Sequence, residues 1–151
     1  MPAGVMTMIT ASSSAEIDRP VSEVYAFVSD CRNEPKWHTD AIEAGLMGEG
    51  PLAVGAKQRW LIKFMGKREM IMEVTKLEPE RVEVLEARTA LMGMAPTITY
   101  SFEQAGSGTR FTRSVTMDPK GIGALMKPMM RSMVPKQNAA FVQKLKQVFE
   151  S

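Results

Sequence analysis

The sequence predicts an α+β fold, a curved antiparallel sheet of about seven strands with one long terminal helix laid across it. Three observations predict it. Apolar residues recur with helical period early in the chain, and again from Gly121 to Phe149. Between Ile42 and Met117, short runs of two-residue alternation are separated by turn signals, the pattern of an antiparallel meander. A sheet that is apolar on one face needs a cover, and the terminal segment is the only large apolar element left to supply it.

The elements follow in order. Residues 7–17, TMITASSSAEI, alternate softly and read as a first strand. In DRPVSEVYAFVSD, Asp18 is a candidate cap, Pro20 suits a first turn, and Glu23 favours the positive helix end. Val21, Val24, Tyr25 and Val28 form one helical stripe that stops near Ser29–Asp30. A second short helix is expected over Cys31–Lys36, ending at PKWH.

The meander begins at Ile42, and GEGPLAVG interrupts it. In AKQRWLIKF, Gln58, Trp60, Ile62 and Phe64 share a face opposite Lys57, Arg59 and Lys63. A turn at Gly66 leads to Met70, Met72 and Val74 on one face, with Glu69, Glu73 and Thr75 on the other. After a turn at Pro79, RVEVLEART places Val82 and Val84 with Glu86 and Arg88. TITYSFE groups Ile98, Tyr100 and Phe102, and AGSG connects it to a strand grouping Phe111, Val115 and Met117 with Arg113. The terminal stripe comprises Ile122, Met126, Met129, Met130, Met133, Ala140, Phe141, Leu145 and Val148, interrupted by Gln137. Pro128 reads as the start of a helical segment. Pro135 lacks an N–H and crowds the carbonyl of Arg131, which predicts a bend.

Bulk properties bound the function. A chain of 151 residues fits one domain spanning residues 1–151 and needs no disulfide or metal to hold its core. A net charge of +2 gives no argument for nucleic acid, and neither a recognition motif nor aromatic platforms amid basic residues are present. One cysteine, Cys31, and one histidine, His38, cannot make the usual Cys/His zinc site. No metal and no cofactor are expected: EF-hand spacing is missing, and GSG and GIG lack the spacing of a phosphate-binding loop. No signal peptide or membrane-spanning run is read, so a cytoplasmic location is the expectation.

Four segments carry a family resemblance: IDRPVSEVYAFVSDCRNEPKWH after the first strand, GPLAVGAKQRW before another, GSGTRFTRSVTMDPKG before the terminal helix, and the closing FVQKLKQVFE. Together they resemble the START-like, or SRPBCC, superfamily with its helix-grip fold, and within it the polyketide cyclase/dehydrase and lipid-transport branch. These motifs are structural and bring no catalytic signature with them. The resemblance implies a cavity between sheet and helix. Pattern alone favours a solid core instead, since close packing is the norm.

With a cavity, the expected function is binding or transport of a small hydrophobic ligand such as a lipid, isoprenoid or polyketide-like molecule. The alternative is a polyketide cyclase or dehydratase using acid/base groups in the same space. Ligand contacts are expected from Trp37, Trp60, Ile62, Phe64, Met70, Met72, Arg88, Tyr100, Phe102, Met126, Met130, Met133, Gln137 and Phe141. Arg113 is a candidate for a ligand carboxylate or enolate, and Glu86 for a general acid/base. Both stand beside the simpler reading that strand boundaries send these charges to solvent. His38 reads as a surface or capping histidine in preference to a catalytic one. The 14 methionines, several on the terminal helix, suit a deformable apolar wall over a cavity. The six Lys and Arg from Lys120 to Lys146 allow a transient membrane contact, although a solvated face is the commoner use of such charges.

Overall fold

The computed structural model describes residues 8–89 and 93–150. Thr7, the first residue of the expected opening strand, lies outside them, as do the ends of the expected 1–151 domain. Seven strands form one antiparallel sheet among the described residues: β1 (Ile9–Ile17), β2 (Ala41–Met47), β3 (Lys57–Lys63), β4 (Lys67–Glu78), β5 (Val82–Ala87), β6 (Thr97–Ala105) and β7 (Gly108–Met117). Their spatial order is β1-β7-β6-β5-β4-β3-β2, so consecutive strands from β2 to β7 are neighbours and β1 closes the far edge against β7. Helices α1 (Val21–Ser29) and α2 (Glu34–Trp37), with a 3₁₀ turn at Cys31–Asn33 between them, carry the chain from one edge of the sheet to the other. A 3₁₀ turn at Gly121–Met126 leads into α3 (Lys127–Glu150), which packs along β1 and β7. This is the helix-grip architecture.

Most elements follow from local sequence. The alternation in β3 buries Gln58, Trp60 and Ile62 and exposes Lys57, Arg59 and Lys63. Helix α1 buries Val24 and Val28. Asp18 does not cap it: the helix begins one residue after Pro20, and no side chain caps its first turn. Helix α2 runs one residue further than expected, through Trp37. Pro128 is the second residue of α3, where its missing N–H has no intrahelical partner to lose, and Pro135 lies inside the helix. None of the described helices is long and apolar enough to cross a membrane.

Two faces differ from expectation. On β5 the inward residues are Glu83 and Leu85, not Val82, Val84 and Glu86. Register explains the choice. Leu85 stands opposite Val74 on β4 and Ile98 on β6, and residues directly opposite in an antiparallel sheet share a face. On α3 the buried residues are Met130, Val134, Asn138, Phe141, Val142 and Leu145. Met129 and Ile122 are exposed instead. The 3₁₀ turn before α3 advances by 3.0 residues per turn rather than 3.6, so the stripe cannot be carried back through it to Ile122. Met129, inside α3, lies one residue off the buried stripe that Met130 begins.

The core has two parts. Around α1, α2 and the C-terminal half of α3 it is solid: Val24, Trp37, Trp60, Tyr100, Phe111 and Leu145 are all essentially inaccessible. Trp37 packs edge-on against Tyr100 and Phe111, with ring centres 5.5 and 5.7 Å apart. Over the N-terminal half of α3 the packing is incomplete, and a cavity remains.

Candidate functional site

The cavity has a volume of about 120 Å³. Its sheet wall comes from Ile62, Met70, Ile98, Val115 and Met117, and its helix wall from Met130, Met133, Val134 and Phe141. Phe64, Met94 and Pro96 complete the apolar surface. Polar groups enter at His38, Asp40, Lys63, Arg113, Gln137 and Asn138. Pockets for drug-sized molecules span about 300–1,000 Å³, and an engineered protein cavity of about 150 Å³ binds benzene. The cavity as it stands therefore holds a ring-sized group. A longer ligand requires Met130 and Met133 to change rotamer, which unbranched thioether side chains do readily.

Of the residues named from sequence, Ile62, Phe64, Met70, Met130, Met133, Gln137, Phe141 and Arg113 line this space. Six others do not. Trp37, Trp60, Met72, Tyr100 and Phe102 are consumed by the solid core, and Met126 packs at its margin. The Trp60 indole N–H donates to Gln58 Oε1 at 2.9 Å, which fixes the ring away from the cavity. Arg88 and Glu86 lie on the outer face with β5's outward set. Arg88 pairs with Glu73 at 3.3 Å and with Glu86 at 3.9 Å, in half-exposed positions. Glu86 and Arg113 thus stand on opposite faces of the sheet and cannot act on one substrate.

Arg113 is the charge that does point inward. It is 4% exposed. Its guanidinium donates to Asn138 Oδ1 and lies 5.3 Å from the Phe141 ring centre, a cation–π distance. The Asn138 amide donates back to the Arg113 carbonyl at 2.8 Å, so this one pair ties α3 to β7. The Arg113 Nε has no hydrogen-bond partner, and no carboxylate among the described residues is within ion-pair distance of the guanidinium. A buried cation without a counter-ion is costly to fold around.

A second polar group has no counterpart among the sequence-based expectations. Glu34 and His38 are four residues apart across the single turn of α2, which places both on one helix face. His38 Nδ1 lies 3.1 Å from Glu34 Oε2, and the Tyr100 hydroxyl donates to Glu34 Oε1 at 2.8 Å. All three are buried, and His38 borders the cavity. His38 is thus not a surface residue, although it does cap α2: it is the C-cap of that helix, its backbone N–H donating to the Glu34 carbonyl at 2.7 Å. Burial pushes its imidazole below the ordinary range and nearby Arg113 adds to this, while the bond to Glu34 opposes both. Burial likewise raises the Tyr100 phenol, with the Glu34 charge adding to it. The i, i+4 spacing of Glu34 and His38 is a readable signal. The contribution of Tyr100, from a distant strand, is not.

Glu83 stands opposite Tyr100 in the β5–β6 register and is 1% exposed. Neither of its carboxyl oxygens has a hydrogen-bond partner. Burial, and then the neighbouring Glu34, push its carboxyl up to about 8.

Comparisons agree with this architecture. The family model described as polyketide cyclase / dehydrase and lipid transport matches residues 8–150. Among solved structures, the Zhui aromatase/cyclase from Streptomyces sp. R1128 superposes with a TM-score of 0.78 at 12% identity, over 95% of this chain and 94% of that one. A START superfamily protein from Mycobacterium smegmatis gives 0.77 at 14% identity, over 93% and 97%. The protein TTHA0849 from Thermus thermophilus gives 0.76 at 15% identity, over 93% and 97%. At these identities the likeness concerns the fold alone. No curated protein matches the chain.

Proposed function

Because this chain belongs to the polyketide cyclase/dehydrase and lipid transport family, whose fold holds ligands between sheet and helix, we propose that it binds a small hydrophobic molecule bearing an anionic head. The apolar part, a lipid, isoprenoid or polyketide-like ring, lies against Met70, Ile98, Met130 and Met133. The head, a carboxylate or an enolate, meets Arg113. One observation carries this reading: Arg113 is a buried cation on the wall of an apolar cavity, with no carboxylate among the described residues within ion-pair distance.

The cyclase or dehydratase reading has a narrower base. Of the three charges it drew on, Glu86 and Arg88 sit on the outer face and only Arg113 borders the cavity. Any such chemistry must use groups that line the cavity.

A membrane is the proposed place of loading. Ile122, Leu125 and Met129 expose 60%, 82% and 51% of their surface just before and within the first turn of α3, beside Lys120 and Arg131. Apolar side chains flanked by basic ones suit an anionic bilayer surface.

The ligand reading is tested by calorimetric titration with octanoate and with octanol. The wild-type chain is expected to bind the acid more tightly than the alcohol. Arg113→Met is expected to weaken octanoate at least ~10-fold, in line with a charge-assisted contact of about 1.5–3 kcal/mol, and to leave octanol unchanged. The variant is expected to stay folded, since removing a buried charge that has no counter-ion offsets the loss of the donor to Asn138 Oδ1. Equal affinity of the variant and wild type for octanoate refutes the proposal.

A further inference from the structure

We propose that His38 is a general base of the cavity, held by Glu34, and that it removes a proton from the carbon beside the carbonyl of an apolar ketone-type ligand. The inference rests on the cavity binding such a ligand, and it adds a reaction to that binding.

The geometry supplies each part. Glu34 is fully buried and receives two hydrogen bonds, from the Tyr100 hydroxyl at 2.8 Å and from the His38 Nδ1 edge at 3.1 Å. A carboxylate at Nδ1 fixes the imidazole as the Nδ1–H tautomer, which leaves the lone pair on Nε2. The ring is wedged between Phe141 and Trp60, with centres 4.5 and 5.7 Å away, so its orientation is set. His38 borders the cavity, and Arg113 borders it too. A neutral imidazole and a cation on one apolar cavity are the two groups that enolisation needs. In the step, the C–H bond breaks and its proton goes to Nε2. The electron pair moves onto the carbonyl oxygen, whose new charge faces Arg113. Return of the proton to carbon completes a cycle that consumes no co-reactant. Burial and Arg113 both hold His38 neutral, the form a base requires. Besides Glu34, Tyr100 and Arg113, the titratable groups that bear on it are Asp40, whose charge reaches the ring, and Lys63, which borders the same cavity.

The test uses 2-tetralone, an apolar ketone, in deuterated buffer. Proton NMR follows loss of the hydrogens beside the carbonyl, and quenching of tryptophan fluorescence measures binding. The wild-type chain is expected to exchange them ~100-fold faster than buffer, within the range a positioned base supplies. His38→Gln is expected to bind tetralone and lose the acceleration. Glu34→Gln is expected to retain part of it and to shift the ring tautomer, which long-range nitrogen NMR reads cleanly because the chain has one histidine. If Glu34→Gln does not fold, Tyr100→Phe removes one of the bonds to Glu34 and serves in its place. Tetralone bound without exchange, His38→Gln exchanging like wild type, or a wild-type ring protonated at Nε2 each overturn this inference alone. A wild-type chain that binds neither tetralone nor octanoate overturns the cavity reading and this inference with it.

Discussion

Replacing Glu83 by glutamine should make the protein more stable, and by an amount that depends on pH in a specified way. Glu83 is buried with no partner for either oxygen. Its carboxyl is held up to about 8, against an ordinary 4.5. The folded state therefore keeps a proton that the unfolded chain releases. For an acid raised in this way, the folded state binds more protons, and stability falls as pH rises from the unfolded value to the folded one. Each pH unit crossed costs about 1.4 kcal/mol. At pH 7 the loss is about 3 kcal/mol, and above pH 8 it levels off somewhat below 5 kcal/mol. Glutamine does not titrate, and its amide inherits much the same unmet hydrogen bonding as the protonated acid. The difference between Glu83→Gln and wild type should be near zero at pH 4, reach about 3 kcal/mol at pH 7, and be flat above pH 8. In a chain of this size that is a rise of roughly 6–12 °C in Tm at neutral pH. Urea unfolding from pH 4 to 9, read by the buried Trp37 and Trp60, supplies the measurement. The His38 contribution has the opposite sign, since its lowered pKa removes stability on acidification below about 6.5, and it cancels in the difference. A difference independent of pH, or a variant less stable than wild type at pH 8, refutes the reasoning.

Three further outcomes are expected. Gly93→Ala should destabilise by about 2 kcal/mol or more in urea unfolding, because Gly93 has φ +83° and an added Cβ would sit 2.0 Å from the Lys120 carbonyl oxygen. Cys31 should resist an aromatic disulfide reagent in the native protein and react once unfolded, since it is buried and its thiol is pushed up to about 12, mainly by burial. Leu125→Glu should abolish co-flotation with vesicles containing phosphatidylserine while leaving octanoate affinity unchanged; wild-type protein that does not float would dispose of the membrane proposal.

The fold is legible because the text of β3, β4, β6 and β7 alternates cleanly and each run ends in a turn signal. Gly106, with φ +62°, stands at the β6–β7 connection that AGSG announces. The site is less legible, for reasons that particular residues make clear. In VEVLEA, valines mark one face while leucine and a buried glutamate mark the other, so hydrophobicity alone chooses the wrong side. Only pairing with Val74 and Ile98 settles it. Asn138 reads as an ordinary polar helix residue, because its partner Arg113 is on a strand that sequence spacing does not connect to it. Tyr100 and Trp60 are large and face inward, which in sequence is indistinguishable from a cavity wall. Inward-facing residues divide between a solid half and an open half of the same interface, and one-dimensional pattern carries no information about which half. Glu34 and His38 are the exception, since their spacing on a short helix is a local signal that sequence alone could have supplied.

The order of the strands also bears on how the chain assembles. Each strand from β3 to β7 can pair with the one made just before it. β1 cannot: Ile9 finds its partner in Met117, and α3, made later still, packs on the same strand. During synthesis, β1 must wait for all five intervening strands before its partner β7 emerges. Long-range closure of this kind slows folding. It also makes the serine-rich centre of β1, Ser12 to Ser14, advantageous during the wait, because a polar strand held unpaired is a poor seed for aggregation.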